Sequence, residues 1–397
     1  MSKRWIITLI VLVLAALAIG TLLRHGQTER QTNISQGIAP RVLSNRPAVV
    51  NLTNLYSETG ANNLSPAVMN ALPRVYVPNL RSGDVYVIDP TTFEVIDRFK
   101  VGRNPQHVVP SWDLKTLWVV GSAENRRGSG SLTPIDPMTA KPGRTISVPD
   151  AYNMYFMPDG GSAIVVAEEA RQLEFRDPHS MAIQSILKIP ACAGINHADF
   201  AIDGRYAIFT CEFAGGLVKL DLANRNILGF LKLSRQSMPQ DIRISPDGKI
   251  FYVADMMSDG VFMIDGDKFS QVGFIPTGLG AHGLYPSRDG TRLYVANRGT
   301  HQVHGPRGGP GSISIINFAT RRVEANWPIP GGGSPDMGNV SADGKTLWLS
   351  GRFDDVVYAI DTMTGAVKKI PVGMEPHGLT VWPQPGRYSL GHTGNMR

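Results

Sequence analysis

Seven residues ahead of a recurring Asp-Gly turn, or its equivalent, stand Gln106, Tyr152, Asn196, Gln240, His282, Asp336 and His377. The next positions are His107, Asn153, His197, Asp241, Gly283, Met337 and Gly378. Four of the nine histidines and two carboxylates thus fall at equivalent places in a repeating chain. Imidazoles and carboxylates gathered this way are the donor set of metal and cofactor sites. On that reading His107, His197, His282 and His377 bind a divalent metal, with Asp241 and Asp336 as orienting groups or further ligands. The same mouth could instead take an anionic cofactor through the four histidines with Arg298 and Arg352. The competing reading is a polar lining for a wet channel, satisfied by water and backbone.

A second set of candidates follows the aromatic strands of the repeat. Arg81, Arg126, Arg127, Arg171, Arg298 and Arg352 stand there, and His301, His304 and Arg307 lie in a longer insertion from Gly299 to Gly311. Guanidinium groups grip carboxylates and phosphates in a bidentate fork. A protein partner or a small anionic ligand is therefore expected at this face. Glu168, Glu169, Glu212, Asp255, Asp259, Asp354 and Asp355 share it, and the alternative is a merely soluble rim of mixed charge.

What must position these groups is a repeat. An apolar, aromatic strand recurs seven times, at Arg74-Val75-Tyr76-Val77, Leu117 to Val120, Ala163 to Val166, Ala207 to Phe209, Phe251 to Val253, Leu293 to Val295 and Leu347 to Leu349. Each is followed by a turn and a strand ending at Asp89, Asp136, Asp177, Asp221, Asp265, Asn317 or Asp361, in steps of 47, 41, 44, 44, 52 and 44 residues. A period near 44 built from short strands and tight turns is that of a four-stranded propeller blade. Asp-Gly in Met157-Pro158-Asp159-Gly160 and Ser245-Pro246-Asp247-Gly248 predicts two-residue hairpin turns. The fold class is therefore all-β, a seven-bladed β-propeller over 74–383. The last inner strand, 377–383, has no aromatic strand after it and the first aromatic strand has no inner strand before it. Pairing the two closes the ring and removes the exposed edges. Residues 384–397 are left as a C-terminal tail.

Arg292-Leu293-Tyr294-Val295-Ala296-Asn297-Arg298, Phe251-Tyr252-Val253-Ala254-Asp255 and Pro376-His377-Gly378-Leu379 resemble the bacterial YVTN, or YncE-like, β-propeller repeat family. The resemblance covers about 74–383 and implies the fold. Related propellers include the haem d1 domain of nitrite reductases, lactonases and streptogramin lyase, which implies a non-covalent haem-type tetrapyrrole, or lactonase- or lyase-like chemistry, as alternatives to a binding or scaffold role. Fold kinship does not transfer function. No Cys-x-x-Cys-His motif for covalent haem and no Gly-x-Ser-x-Gly elbow occurs.

Composition agrees with a turn-rich β protein: 42 Gly and 28 Pro with 18% charged residues exclude coiled coil, helical bundle and disordered tail. A net charge of +6, with no basic block interleaved with aromatics, argues against nucleic acid as a partner. Lys3-Arg4 precede an uncharged apolar run from Trp5 to Leu23. As a helix its 19 residues span about 28 Å, enough to cross a bilayer. The alternative is a cleaved signal peptide. Both place the remainder outside the cytoplasm, periplasmic or at the cell surface, and the anchor reading adds the membrane as a partner, with 1–24 as anchor or signal and 25–73 as tether. Two cysteines in an exported chain suggest a Cys192–Cys211 disulfide; buried thiols, or a thiol binding metal beside His197, are the alternatives.

Overall fold

The computed structural model describes residues 51, 53–123, 128, 130–305 and 310–397. The run Trp5–Leu23, and with it the anchor or signal reading, lies outside the described residues, as do Arg126, Arg127 and Arg307. Among the described residues no helix is long and apolar enough to cross a membrane.

Seven antiparallel sheets form a seven-bladed propeller. Blade 1 is Arg74–Asn79, Asp84–Asp89 and Glu94–Lys100, with Thr380–Trp382 as its inner strand. That pairing sets Arg74 against Trp382 and Tyr76 against Thr380, so the two ends of the repeat array close one sheet, as the offset in the sequence requires. The inner strands of blades 2 to 7 are Pro105–Pro110, Asn153–Phe156, Ile195–Phe200, Pro239–Ile244, Ala281–Pro286 and Pro335–Val340. In five of these every residue is buried, because a neighbouring blade or the channel filling covers both faces. Outer strands such as Asn226–Lys232 and Arg322–Pro328 alternate between exposed and half-buried, as edge strands with one covered face do.

The core is distributed between blades rather than held at one centre. One cluster of buried apolar residues fills each junction; Phe209 and Val218 of blade 4, for instance, pack with Ile164 and Phe175 of blade 3. The closing junction is packed like the rest, with Val75, Val77 and Ile88 of blade 1 against Trp348, Val357 and Ile370 of blade 7.

Two expectations change. The Asp-Gly connections are longer than two-residue hairpins. Ser245 N–H donates to Ile250 O at 2.6 Å, Gly248 N–H returns to Ser245 O at 2.9 Å, and only Gly248 takes a positive φ, of 72°. The Asp side chain is used instead as an acceptor, with Ser245 Oγ donating to Asp247 Oδ1 at 2.5 Å and Ile250 N–H donating to Ser245 Oγ at 2.9 Å. The same Ser-x-Asp device recurs at Ser111, Ser287 and Ser341. The tether reading fails for 53–73. Tyr56 is buried with its hydroxyl donating to Ile244 O, Leu55 N–H donates to Pro246 O, and Val68 and Ala71 join the junction of blades 1 and 2. These apolar side chains gain more by covering the turn face than by staying in water.

Candidate functional site

The ring residues sit where the inner strands begin, and most of these strands begin irregularly. Register shifts fall between Pro105 and His107, Ile195 and Ala198, Pro239 and Ile242, Ala281 and Gly283, and Pro335 and Gly338. A bulge turns side chains out of the ladder and re-aims them. At the strand starts of blades 2 and 4, and of blade 3 without a bulge, two successive side chains enter the channel, one in an upper and one in a lower layer, whereas Met337 of blade 7 packs into a blade junction.

The upper layer is a small open mouth of about 70 Å³, lined by Gln106, Tyr152, Gln240, His282 and His377 together with Ser122, Glu168, Glu212, Arg298 and Arg352. Ser122, Glu168, Glu212, Arg298 and Arg352 share one place in the repeat: the first residue after the aromatic strand. On blades 6 and 7 the mouth is cationic and built around Asp336. This carboxylate is fully buried and accepts Arg298 Nη2 at 2.6 Å and Nε at 3.2 Å on Oδ1, and His377 Nδ1 at 2.6 Å on Oδ2. His282 Nδ1 lies 2.9 Å from the same Oδ1, misaligned for a hydrogen bond, and its Nε2 accepts from Arg298. His377 Nε2 faces the Tyr152 hydroxyl at 3.2 Å. Burial alone would push Asp336 up, but Arg298 and the two imidazoles outweigh it and hold its carboxyl well below the usual range. Burial and then Arg298 bring His282 down to about 4; burial and then Arg352 hold His377 well below its ordinary value. Both are neutral near pH 7.

Arg352 differs from Arg298. It is 4% exposed, its Nη1 is 3.9 Å from Asp336 Oδ2, and its Nε has no hydrogen-bond partner. On blades 3 and 4 the wall is acidic. Glu212 accepts Asn196 Nδ2 at 2.8 Å and Gln240 Nε2 at 3.0 Å, yet burial raises its pKa. Glu168 faces the cavity beside it; burial, then Glu212 and Asp150, raise it well above the usual carboxylate range. Phe213, 56% exposed, edges this wall.

The lower layer is made of His107, Asn153, His197 and Asp241, and of a residue the repeat does not contain. The C-terminal residues are no free tail. Ser389 pairs with Met396 and Leu390 N–H donates to Asn395 O, making a hairpin that fills the channel. It is held by Thr393 Oγ1 donating to Gly338 O at 3.0 Å, and by Asn395 Nδ2 and Arg397 Nη2 donating to Asp199 Oδ1 at 3.0 and 2.5 Å. Its turn carries His392, fully buried, with ring centroids 5.2 Å from His107 and 4.6 Å from His197. His107 Nδ1–H donates to Tyr152 O at 3.0 Å, and the Asn153 amide nitrogen stands 3.1 Å from His197 Nδ1 and 3.0 Å from His392 Nδ1. Nε2 of all three rings has no hydrogen-bond partner. Burial depresses all three, His107 to about 3.

The four ring histidines thus divide, His282 and His377 above, His107 and His197 below, with His107 and His377 at 4.8 Å between centroids. Asp336 orients two imidazoles as expected. Asp241 does not: it accepts Arg243 Nη1 at 2.8 Å and the backbone N–H groups of Ile242 and Leu284, and its closest imidazole is His392, 3.7 Å away. Of the described loop arginines only Arg298 and Arg352 reach the mouth; Arg81 lies 3.3 Å from Glu375 and Arg171 donates to Pro190 O. His304 lines the mouth, whereas His301 pairs with Asp259 at 2.8 Å. Cys192 and Cys211 are joined as a disulfide, with Cα atoms 4.9 Å apart, which removes the thiol-ligand reading beside His197. Sequence reasoning missed Glu168 and Glu212 as cavity wall, although their shared place after the aromatic strand marks them. It missed His392, whose only signal is the glycine-flanked Gly391-His392-Thr393-Gly394.

A comparison with curated proteins found no match. Among solved structures the chain is similar to a candidate 6-phosphogluconolactonase from Bacteroides uniformis, with 18% identity and a TM-score of 0.62 over 77% of this chain and 98% of that one. It is similar to a protein of unknown function from Desulfotomaculum acetoxidans, with 13% identity and a TM-score of 0.62 over 78% and 99%. It also resembles the dihydro-haem d1 dehydrogenase NirN, with 15% identity and a TM-score of 0.57 over 80% and 76%. At these identities the likeness is one of fold. The family model for the YNCE-like beta-propeller matches residues 47–385, which include every blade and the upper channel layer but stop short of the C-terminal hairpin that carries His392, and the chain belongs to that family.

Proposed function

We propose that this is an extracytoplasmic propeller, anchored or exported through Trp5–Leu23, that binds a small anionic molecule in its mouth. The observation that carries the reading is Arg352: a nearly buried guanidinium that lines the cavity, has an Nε without a partner and has its carboxylate neighbour at 3.9 Å. A buried cation without close acceptors is costly to leave unpaired, and a carboxylate or phosphate satisfies it in two parallel bonds. Arg298 is already saturated by Asp336, so it adds positive field rather than the fork. Glu168 and Glu212 on the opposite wall favour a ligand whose far end carries hydrogen-bond donors. The name of the Bacteroides neighbour agrees with this ligand class, but at 18% identity it carries no more than the fold.

A haem-type tetrapyrrole does not fit the mouth. Three of the four ring nitrogens of the upper histidines are hydrogen-bonded to Asp336, Arg298 or Tyr152, and the fourth, His282 Nδ1, has no hydrogen-bond partner but lies 2.9 Å from Asp336 Oδ1, which leaves no room for iron between them. The reading is tested by calorimetric titration of the full chain with gluconate and inorganic phosphate. Saturable binding that Arg352→Met weakens by at least about tenfold is expected from losing a charged bidentate contact. Equal binding by the variant, or none by either anion, overturns it.

One contact set favours a second reading, hydrolase- or lyase-like. Asp336, His377 and Tyr152 form a chain of 2.6 and 3.2 Å contacts in which a neutral imidazole is oriented by a carboxylate beside the anion site. Such a histidine is a general base when substrate displaces the tyrosine. Lactone hydrolysis lost in His377→Gln with anion binding retained would move the assignment from binder to enzyme.

A further inference from the structure

Three imidazoles of the lower layer each leave Nε2 without a partner, in a place no residue's exposure exceeds 0%. One ring nitrogen of each lies within 4.8 Å of those of the other two. We propose that His107, His197 and His392 bind a divalent transition-metal ion of the zinc class beneath the mouth. The site is separate from the anion site, and it is not the four-histidine ring that the repeat suggests.

The argument starts from tautomers. Tyr152 O can only accept, so His107 carries its proton on Nδ1 and presents a lone pair at Nε2. Imidazole nitrogen with a lone pair is a ligand for zinc, copper, iron or nickel, and three of them with one open position make a tetrahedral zinc site. His197 and His392 share Asn153 at their Nδ1 atoms. An asparagine amide is donor on one side and acceptor on the other. Metal binding requires the amide to turn so that its oxygen faces the two rings, giving up the Met154 N–H contact of 2.8 Å to Oδ1; Asn153 then accepts both Nδ1–H groups and frees both Nε2 lone pairs. That is the outer-shell role carboxylates and carbonyls play behind metal-bound histidines. The mouth histidines cannot compete, because Arg298 and Tyr152 occupy their Nε2 atoms. His392 arrives only when the C-terminal hairpin is seated, so the ion also fastens the hairpin in the channel.

The experiment uses the full chain stripped of metal and titrated with Zn²⁺ alone, then with Co²⁺ as a spectroscopic probe. One equivalent should survive gel filtration, and Co²⁺ should show the absorption of a four-coordinate centre. His392→Ala should abolish retention, Asn153→Ala should weaken it by about 10–100-fold, and His179→Ala, on the surface, should not change it. If His392→Ala does not fold, X-ray absorption at the zinc edge of the wild-type protein decides: a shell with three imidazoles supports the site. No retained metal, fewer than three imidazoles, or loss in His282→Ala with retention in His392→Ala overturns it. Gluconate binding to the metal-free protein is read separately, so failure of this site leaves the anion reading standing.

Discussion

The two layers of the channel start from the same repeat positions and end as opposite kinds of site. In the mouth, His282 and His377 have each ring nitrogen against a carboxylate, a guanidinium or a hydroxyl, and the layer is locked around one anion, Asp336. One residue deeper, His107, His197 and His392 are just as buried but share a single amide and leave three nitrogens unmet. A saturated imidazole positions its neighbours; an unsaturated one is available for a ligand. What separates them is the loop residue that follows the aromatic strand. Blades 6 and 7 supply arginines there, which reach the upper layer and recruit Asp336, whereas the arginine of the lower layer, Arg243, pairs with Asp241 instead of the imidazoles.

Each layer can be broken on its own. The largest effect is expected in the lower one, from deletion of Tyr388–Arg397. It exposes Leu390 and Met396 partners and strips Arg397 and Asn395 from buried Asp199, a loss on the order of 5 kcal/mol or more by urea denaturation. A deletion that left stability unchanged would make the hairpin an ornament. In the mouth, Asp336→Ala should cost about 3–5 kcal/mol, because Arg298 then stays buried with no counter-charge. Asp336→Asn should recover little of it, since the lost charge matters more than the lost volume.

A smaller effect sharpens the comparison from beside the lower layer. Cys192 and Cys211 close a loop of 19 residues around the strand that carries His197, and reduction should cost about 3 kcal/mol. Native thiol counts before and after reduction would report it directly.

The smallest and most diagnostic effect is pH dependence. The five channel histidines are buried neutral, with folded-state pKa values below the ordinary 6.5, His282 at about 4 and His107 at about 3. The unfolded chain therefore binds more protons than the folded one below about pH 6.5, and stability should fall as pH drops from there toward 4. Asp241 works in the other direction. Burial lifts it to about 6, so its contribution is present below its ordinary 3.8 and is lost as pH rises through 6. Glu168 and Glu212, also raised by burial, act in the same direction as Asp241, so the histidine part is read by difference: the slope between pH 6 and 6.5 should shrink in a His107→Phe variant.

Much of this was legible in the chain. The 44-residue period, the Asp-Gly turns and the missing partners at the two ends dictate seven blades and their closure. Aligning the turns also found the ring, because a strand start is a fixed distance from its hairpin. Turn geometry was misread, since an Asp that accepts from Ser245 Oγ and Lys249 N–H looks in sequence like an Asp that takes a positive φ. Asp241 was misread because Arg243, two residues on along the same strand, points to the same face and claims it.

Repetition by itself determined the fold, the closing strand and the ring positions at the strand starts, because periodic burial needs only local spacing. Tertiary structure decided which of those residues pair. His392 reaches His107 across 285 positions of sequence, and Asp336 gathers groups from three blades. No period encodes such contacts: they depend on where the inward bulges and the C-terminal hairpin place side chains in the channel.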